Sequence, residues 1–183
     1  MSTGAPARSY TAEQAQFEAG ADSWELIDGV LLDISPPGGE HGGCVDNLHF
    51  ALGSHVRSRQ LGKLFAAETS FLLARDPDTL LAPDLAFIAE DRVPRPLPKG
   101  WMQTIPDLIV EVVSLSDRVG DVTEKVGKWL GAGVRLIWVI YPAWRSVQVH
   151  RSGCEVRLLS ESAVLEGDDV VPGFRMQVRE LFA

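Results

Sequence analysis

The chain has 183 residues, 45% hydrophobic and 23% charged, enough apolar material for one globular core but with no apolar run long enough to cross a bilayer. Twenty-five acidic against 17 basic residues give a net charge of −8, which argues against strong non-specific binding to nucleic acid. Cys44 and Cys154 belong to no Cys-x-x-Cys pair and Met1–Arg8 contains no hydrophobic signal core, so a zinc site and secretion are disfavoured and a soluble, cytoplasmic protein with structural thiols is expected.

Thr11 precedes a run of good helix formers and is expected to cap a short helix ending near Glu18. Residues 1–19 then form a tail with that helix, and residues 20–183 a single domain. Trp24–Ile27 and Val30–Ile34 flank Asp28-Gly29, the pair that favours positive φ at both turn positions, and predict a type I′ hairpin. Ser35–Gly39 is a Pro/Gly loop, after which Val45, Leu48, Leu52 and Val56 recur at helical spacing and predict an amphipathic helix of about five turns.

From Leu64 the period shortens. Residues 64–66 and 69–73 are predicted strands, Asp76-Pro77-Asp78 a turn, and Leu81-Ala-Pro-Asp-Leu-Ala-Phe-Ile88 a strand with Asp84 inside it. Four prolines and Gly100 break Glu90–Pro106, which predicts a flexible flap near a site. Residues 107–113 form a nearly all-apolar strand containing Glu111, followed by a helix from about Ser116 to Ala132 and a buried strand at 135–140, a parallel or mixed crossover unit. Residues 146–150, 155–159 and 174–178 read as further strands, so the expected fold is α/β with few helices.

Asp84 and Glu111 stand out because a carboxylate among apolar neighbours is costly without a cationic partner, and a divalent metal is the natural one. Lys125 follows on the predicted helix, so two acids and an ammonium lie within a short stretch. Each has a plainer reading. Pro83-Asp84 can be a turn, Glu111 can face solvent, and Lys125 can be a surface lysine paired with Asp121, with Lys128 one turn away as its rival. Trp24, Trp129 and Trp138 sit in core patterns, whereas Trp101 can stack on a base or cover the site. The basic groups Arg57/Arg59/Lys63, Arg92/Arg95/Lys99 and Arg118/Lys125/Lys128 read equally as phosphate contacts or solvated surface. No Gly-x-Ser-x-Gly elbow and no Gly-rich nucleotide loop are present, and His49, His55 and His150 lack ligand spacing.

Trp24-Glu-Leu-Ile-Asp-Gly29, Ile34-Ser-Pro-Pro37 with His41, Pro83-Asp84, Pro106–Ser114, Asp121 with Lys125, and Ala132-Gly-Val134 with Trp138 together resemble the Uma-type putative restriction endonucleases, a branch of the PD-(D/E)XK nuclease superfamily. The resemblance runs from about residue 20 to the C-terminus. It implies a restriction endonuclease-like mixed central β-sheet flanked by helices, with an N-terminal β-hairpin. It also implies Asp84 and Glu111 as ligands for Mg2+ or Mn2+, Glu25 as an acid completing the ligand set, and Lys125 as the group that polarises the attacking water. His41 is a phosphate-binding or auxiliary residue in this scheme, although a capping or exposed histidine fits its position equally. The usual motif places lysine two residues after the second acid; Val113 stands there, so Lys125 must reach in from the adjacent helix.

The activity this implies is Mg2+-dependent endonucleolytic hydrolysis of DNA, by a homodimer because duplex cleavage needs two centres. A catalytically inactive module that kept the fold, favoured by the charge of −8, and a metal-dependent phosphoesterase for a small substrate are the alternatives.

Overall fold

The computed structural model describes residues 9–19, 23–114, 117–153 and 155–183. Its first element, α1 (Ala12–Ala19), is capped as expected: Thr11 Oγ1 accepts from the Gln14 amide at 3.3 Å while Gln14 Oε1 accepts from the Thr11 amide at 2.9 Å, a reciprocal capping box. Strands β1 (Trp24–Ile27) and β2 (Val30–Asp33) form the hairpin, and both turn residues take positive φ, 48° at Asp28 and 79° at Gly29. The long helix α2 spans Gly39–Arg59.

Strands β3 (Gly62–Ala66), β4 (Phe71–Ala74), β5 (Thr79–Leu81) and β6 (Leu85–Ala89) follow. One expectation fails here. Asp84 lies between two strands rather than inside one, because the chain leaves β5 in one sheet and enters β6 in another through Ala82-Pro83-Asp84. Pro83 has no amide hydrogen to give a ladder, so the apolar run breaks at that residue.

β7 (Leu108–Val112), α3 (Val119–Gly131) and β8 (Leu136–Tyr141) make the expected crossover, with β7 and β8 parallel. The expected helix start near Ser116, and Cys154, lie outside the described residues. β9 (Ser146–Arg151), β10 (Glu155–Ser160), β11 (Val164–Glu166) and β12 (Arg175–Gln177) complete the strands. The central sheet has the order β10-β9-β8-β7-β6-β3, antiparallel except for the β7/β8 pair; a second sheet has the order β2-β1-β5-β4.

Period-two alternation explains how both faces of the central sheet are buried. Leu85 and Phe87, with Leu108, Val110 and Trp138, turn toward Leu48, Leu52 and Val56 of α2. Ala86 and Ile88, with Ile109, Ile137 and Val139, turn toward Val126 and Trp129 of α3. Trp129 and Trp138 are fully buried, and each such side chain contributes about 1.5–3 kcal/mol or more. Buried Cys44 belongs to the α2 side of this core.

Residues 90–106 contain one 3-10 turn (Glu90–Arg92) and little other regular structure, but they are anchored rather than loose. Met102 is buried and its backbone bonds Ser70 and Leu72, while Arg92 bonds the buried Asp107 carboxylate and the Ile105 carbonyl. Trp101 packs against the cluster of α1 and β1 that also takes in Tyr10 and Trp24.

Candidate active site

Glu111 is the one charged residue in β7, and alternation puts it on the α3 side with Ile109. Lys125 and Trp129, one turn apart on α3, face it. The Trp129 indole Nε1 donates to Glu111 Oε1 at 3.0 Å. Burial pushes the Glu111 carboxyl up to about 8, with Asp84 and Glu25 pushing the same way against the pull of Lys125. Burial by itself would lower the Lys125 ammonium, but the negative field of Glu111 and Glu25, with Asp117, outweighs it and the net direction is up.

Glu25 arrives from the other sheet. On β1 it shares a face with Ile27, which joins the α3-side core, and its side chain is only 4% exposed. Its Oε1 accepts from the Ala82 amide at 3.3 Å, and its Oε2 lies 2.6 Å from Lys125 Nζ without an aligned hydrogen bond. A plain exposed hairpin residue is thereby ruled out for position 25. Asp84, at the crossing between sheets, accepts from the Val112 amide at 2.7 Å and pairs with His41 Nε2 at 3.2 Å through the same oxygen. That bond raises the His41 imidazole above its ordinary value against the effect of burial. His41 lies in the first turn of α2, whose entry follows the Pro36-Pro37 loop.

The structure thus brings Asp84, Glu111, Lys125, Glu25 and His41 into one electrostatically coupled group. Lys128, the rival lysine, is paired with Asp28 at the hairpin turn. The i,i+4 pairing of Lys125 with Asp121 also gives way, since the ammonium turns inward to Glu25. Of the basic clusters, the third sends Lys125 into the group, whereas in the other two Arg92 serves Asp107, Arg95 serves Glu90, and Arg59 leans on His55.

Two cavities adjoin the group. A recess of about 50 Å³ is lined by Glu111, Lys125 and Asp121, and a cleft of about 600 Å³ opens beside it; Val113, Asp117 and Val122 line both. Sequence reasoning missed Asp117, Trp129 as a donor, and the stacked Tyr141–Trp144 pair on the cleft wall. Trp129 is signalled by its i,i+4 spacing from Lys125; the others depend on folding.

Among the described residues no group of three or more His, Cys, Asp or Glu stands at metal-binding spacing. The donor chemistry nevertheless suits a hard divalent cation. Three carboxylates outnumber the one ammonium, Glu25 Oε2 has the Lys125 ion pair as its partner, and burial, with Asp84 and Glu25 adding to it, raises Glu111.

The family model described as Uma2, putative restriction endonuclease, matches residues 11–179. A crystal structure described as a putative nuclease belonging to DUF820, from Anabaena variabilis, is similar in fold: TM-score 0.79, 20% identity, covering 94% of this chain and 97% of that one. No curated protein matches the sequence.

Proposed function

Because the chain belongs to the Uma2 family of putative restriction endonucleases, we propose that it is a divalent-metal-dependent endonuclease hydrolysing DNA phosphodiester bonds. The observation that carries this reading is the meeting of Glu25 and Glu111, one from each sheet, at the half-buried Lys125, with Lys125 Nζ 2.6 Å from Glu25, Asp84 acting on Glu111 from the joint between the sheets, and Glu111 raised to about 8. Such an acid-rich, cation-seeking pocket is what phosphoryl hydrolysis at neutral pH requires.

Asp84 and Glu111, with Glu25 as a third acid, would hold Mg2+ or Mn2+, which when bound supplies Lewis-acid stabilisation of charge on the phosphoryl oxygens and a more acidic water. The chain's own groups prepare that chemistry. The Val112 amide and His41 fix the Asp84 carboxylate, and Trp129 fixes one oxygen of Glu111. Lys125, reaching in from α3 in place of the missing strand lysine, orients the attacking water and stabilises the negative charge that forms. A homodimer supplies the second centre that duplex cleavage needs.

The absence of a pregathered ligand cluster among the described residues favours one other reading, a non-catalytic module that kept the fold. Cleavage of supercoiled and linear DNA with Mg2+ or Mn2+ separates the two. Nicking or linearisation that needs metal and is lost in both Glu111→Ala and Lys125→Ala supports the nuclease; no cleavage together with no metal binding by calorimetry supports the module. Activity lost only in Glu111→Ala would remove Lys125 from its role.

A further inference from the structure

The cleft beside the acidic group has its own character. Its far wall is a 3-10 turn, Pro142–Trp144, at the end of β8, and Trp144 stacks on Tyr141 with ring centroids 5.3 Å apart and an interplanar angle of 17°. Trp144 is 70% exposed even with Tyr141 stacked on it, so most of the residue stays open to solvent. The turn is braced. Pro142 begins it, Arg145 ends it at φ 45°, and the Arg145 side chain is held by Glu161 at 2.5 Å and by the Phe182 ring at 5.1 Å. The Tyr141 hydroxyl donates to Gln148 at 3.2 Å. A large aromatic held at the wall of a cleft offers an apolar surface that a planar ligand can cover.

We infer that this cleft is a stacking subsite for one unpaired nucleobase of the strand being cut, with Trp144 as the platform. The inference rests on the nuclease reading for its substrate class. The cleft's size falls within the range of pockets for small organic ligands. Among the described residues no lysine or arginine lines it, and the charged ones other than His41 are Glu40 and Asp117, which repel phosphate but can accept hydrogen bonds from exocyclic amino groups. That pattern selects a base rather than the sugar–phosphate chain. Since Val113, Asp117 and Val122 are shared with the recess of Glu111 and Lys125, a base seated on Trp144 lies next to the scissile position. The protein would therefore act on single strands, overhangs or bases extruded from a duplex in preference to intact duplex.

The test is fluorescence anisotropy, without added metal, using a labelled single strand of about ten nucleotides, the same strand with base-free sites, and the matching duplex. Wild type and Trp144→Phe are expected to bind the base-bearing strand about tenfold more tightly than the base-free strand, and Trp144→Ala to lose that preference. Equal affinity of wild type for both strands, or an unchanged preference in Trp144→Ala, overturns the subsite. The nuclease reading fails separately: base-dependent binding through Trp144 with no cleavage under Mg2+ or Mn2+ supports the subsite and sinks the nuclease. Metal-dependent cleavage without base-dependent binding does the reverse.

Discussion

Lys125→Met isolates the interaction on which the acidic group depends. It replaces an ammonium 2.6 Å from Glu25 by an apolar chain of similar length, leaving the almost fully buried Glu25 carboxylate and Glu111 without their cation. Removing one partner of a buried pair costs about 3–5 kcal/mol. The Lys125 side chain is 24% exposed and Glu111 can take up a proton, so the lower end, about 3 kcal/mol, applies. For a chain of this size that is a fall in Tm of roughly 6–12 °C. Lys128→Met is the control, because its partner Asp28 is half exposed and the pair is worth at most about 1 kcal/mol. Differential scanning calorimetry near neutral pH, extended to Glu25→Gln and to Glu25→Gln/Lys125→Met, gives a coupling energy expected at about 1–3 kcal/mol. A Lys125→Met shift no larger than that of Lys128→Met, or a coupling near zero, would refute the idea that this ion pair organises the group.

Millimolar Mg2+ is expected to raise the Tm of the wild type, by mass action on the folded state, and to leave Glu111→Gln unmoved; equal rises in both would remove Glu111 from the ligand set. Burial holds the His150 imidazole below its ordinary value, so its contribution is complete above that value of 6.5 and is lost as pH falls through it. His150→Gln should accordingly lose less stability than wild type between about pH 7.5 and about pH 5, read as urea midpoints. Gly62→Ala would put a Cβ 2.1 Å from the Ile88 carbonyl oxygen at φ 153°, and a loss of about 1–3 kcal/mol in urea unfolding is expected as β3 is forced from β6. Asp107→Asn takes the charge from a 2%-exposed group that Arg92 bonds, and an unfolding loss of about 3 kcal/mol is expected by the same assay.

Much of the scaffold was legible because its signals are local. Asp28-Gly29 specified the hairpin, Val45 to Val56 the long helix, and the apolar runs at β7 and β8 the doubly covered strands. The candidate site residues were read for a different reason: Glu111 breaks an apolar run, Lys125 follows it on a predicted helix, and the family resemblance supplied Glu25. What stayed hidden depends on how the sheets approach. Nothing near Lys125 in sequence says that its partner is Glu25, a hundred positions earlier, rather than Asp121 one turn away. The break at Asp84 was misread because its neighbours are apolar on both sides, whereas Pro83 ends one ladder before the next begins. Trp144 gave no signal either, since its display rests on the turn after β8 and on Arg145 being drawn to Glu161 and Phe182.

The passage of the chain through Ala82-Pro83-Asp84 from one sheet to the other has a consequence for biogenesis. Glu25 belongs to the first sheet, Glu111 to the second, and Asp84 to the joint, so the group is complete only when both sheets are in place. A chain whose amino-terminal hairpin has peeled away lacks Glu25 beside Lys125. Completion of the acidic group and completion of the fold are then a single event.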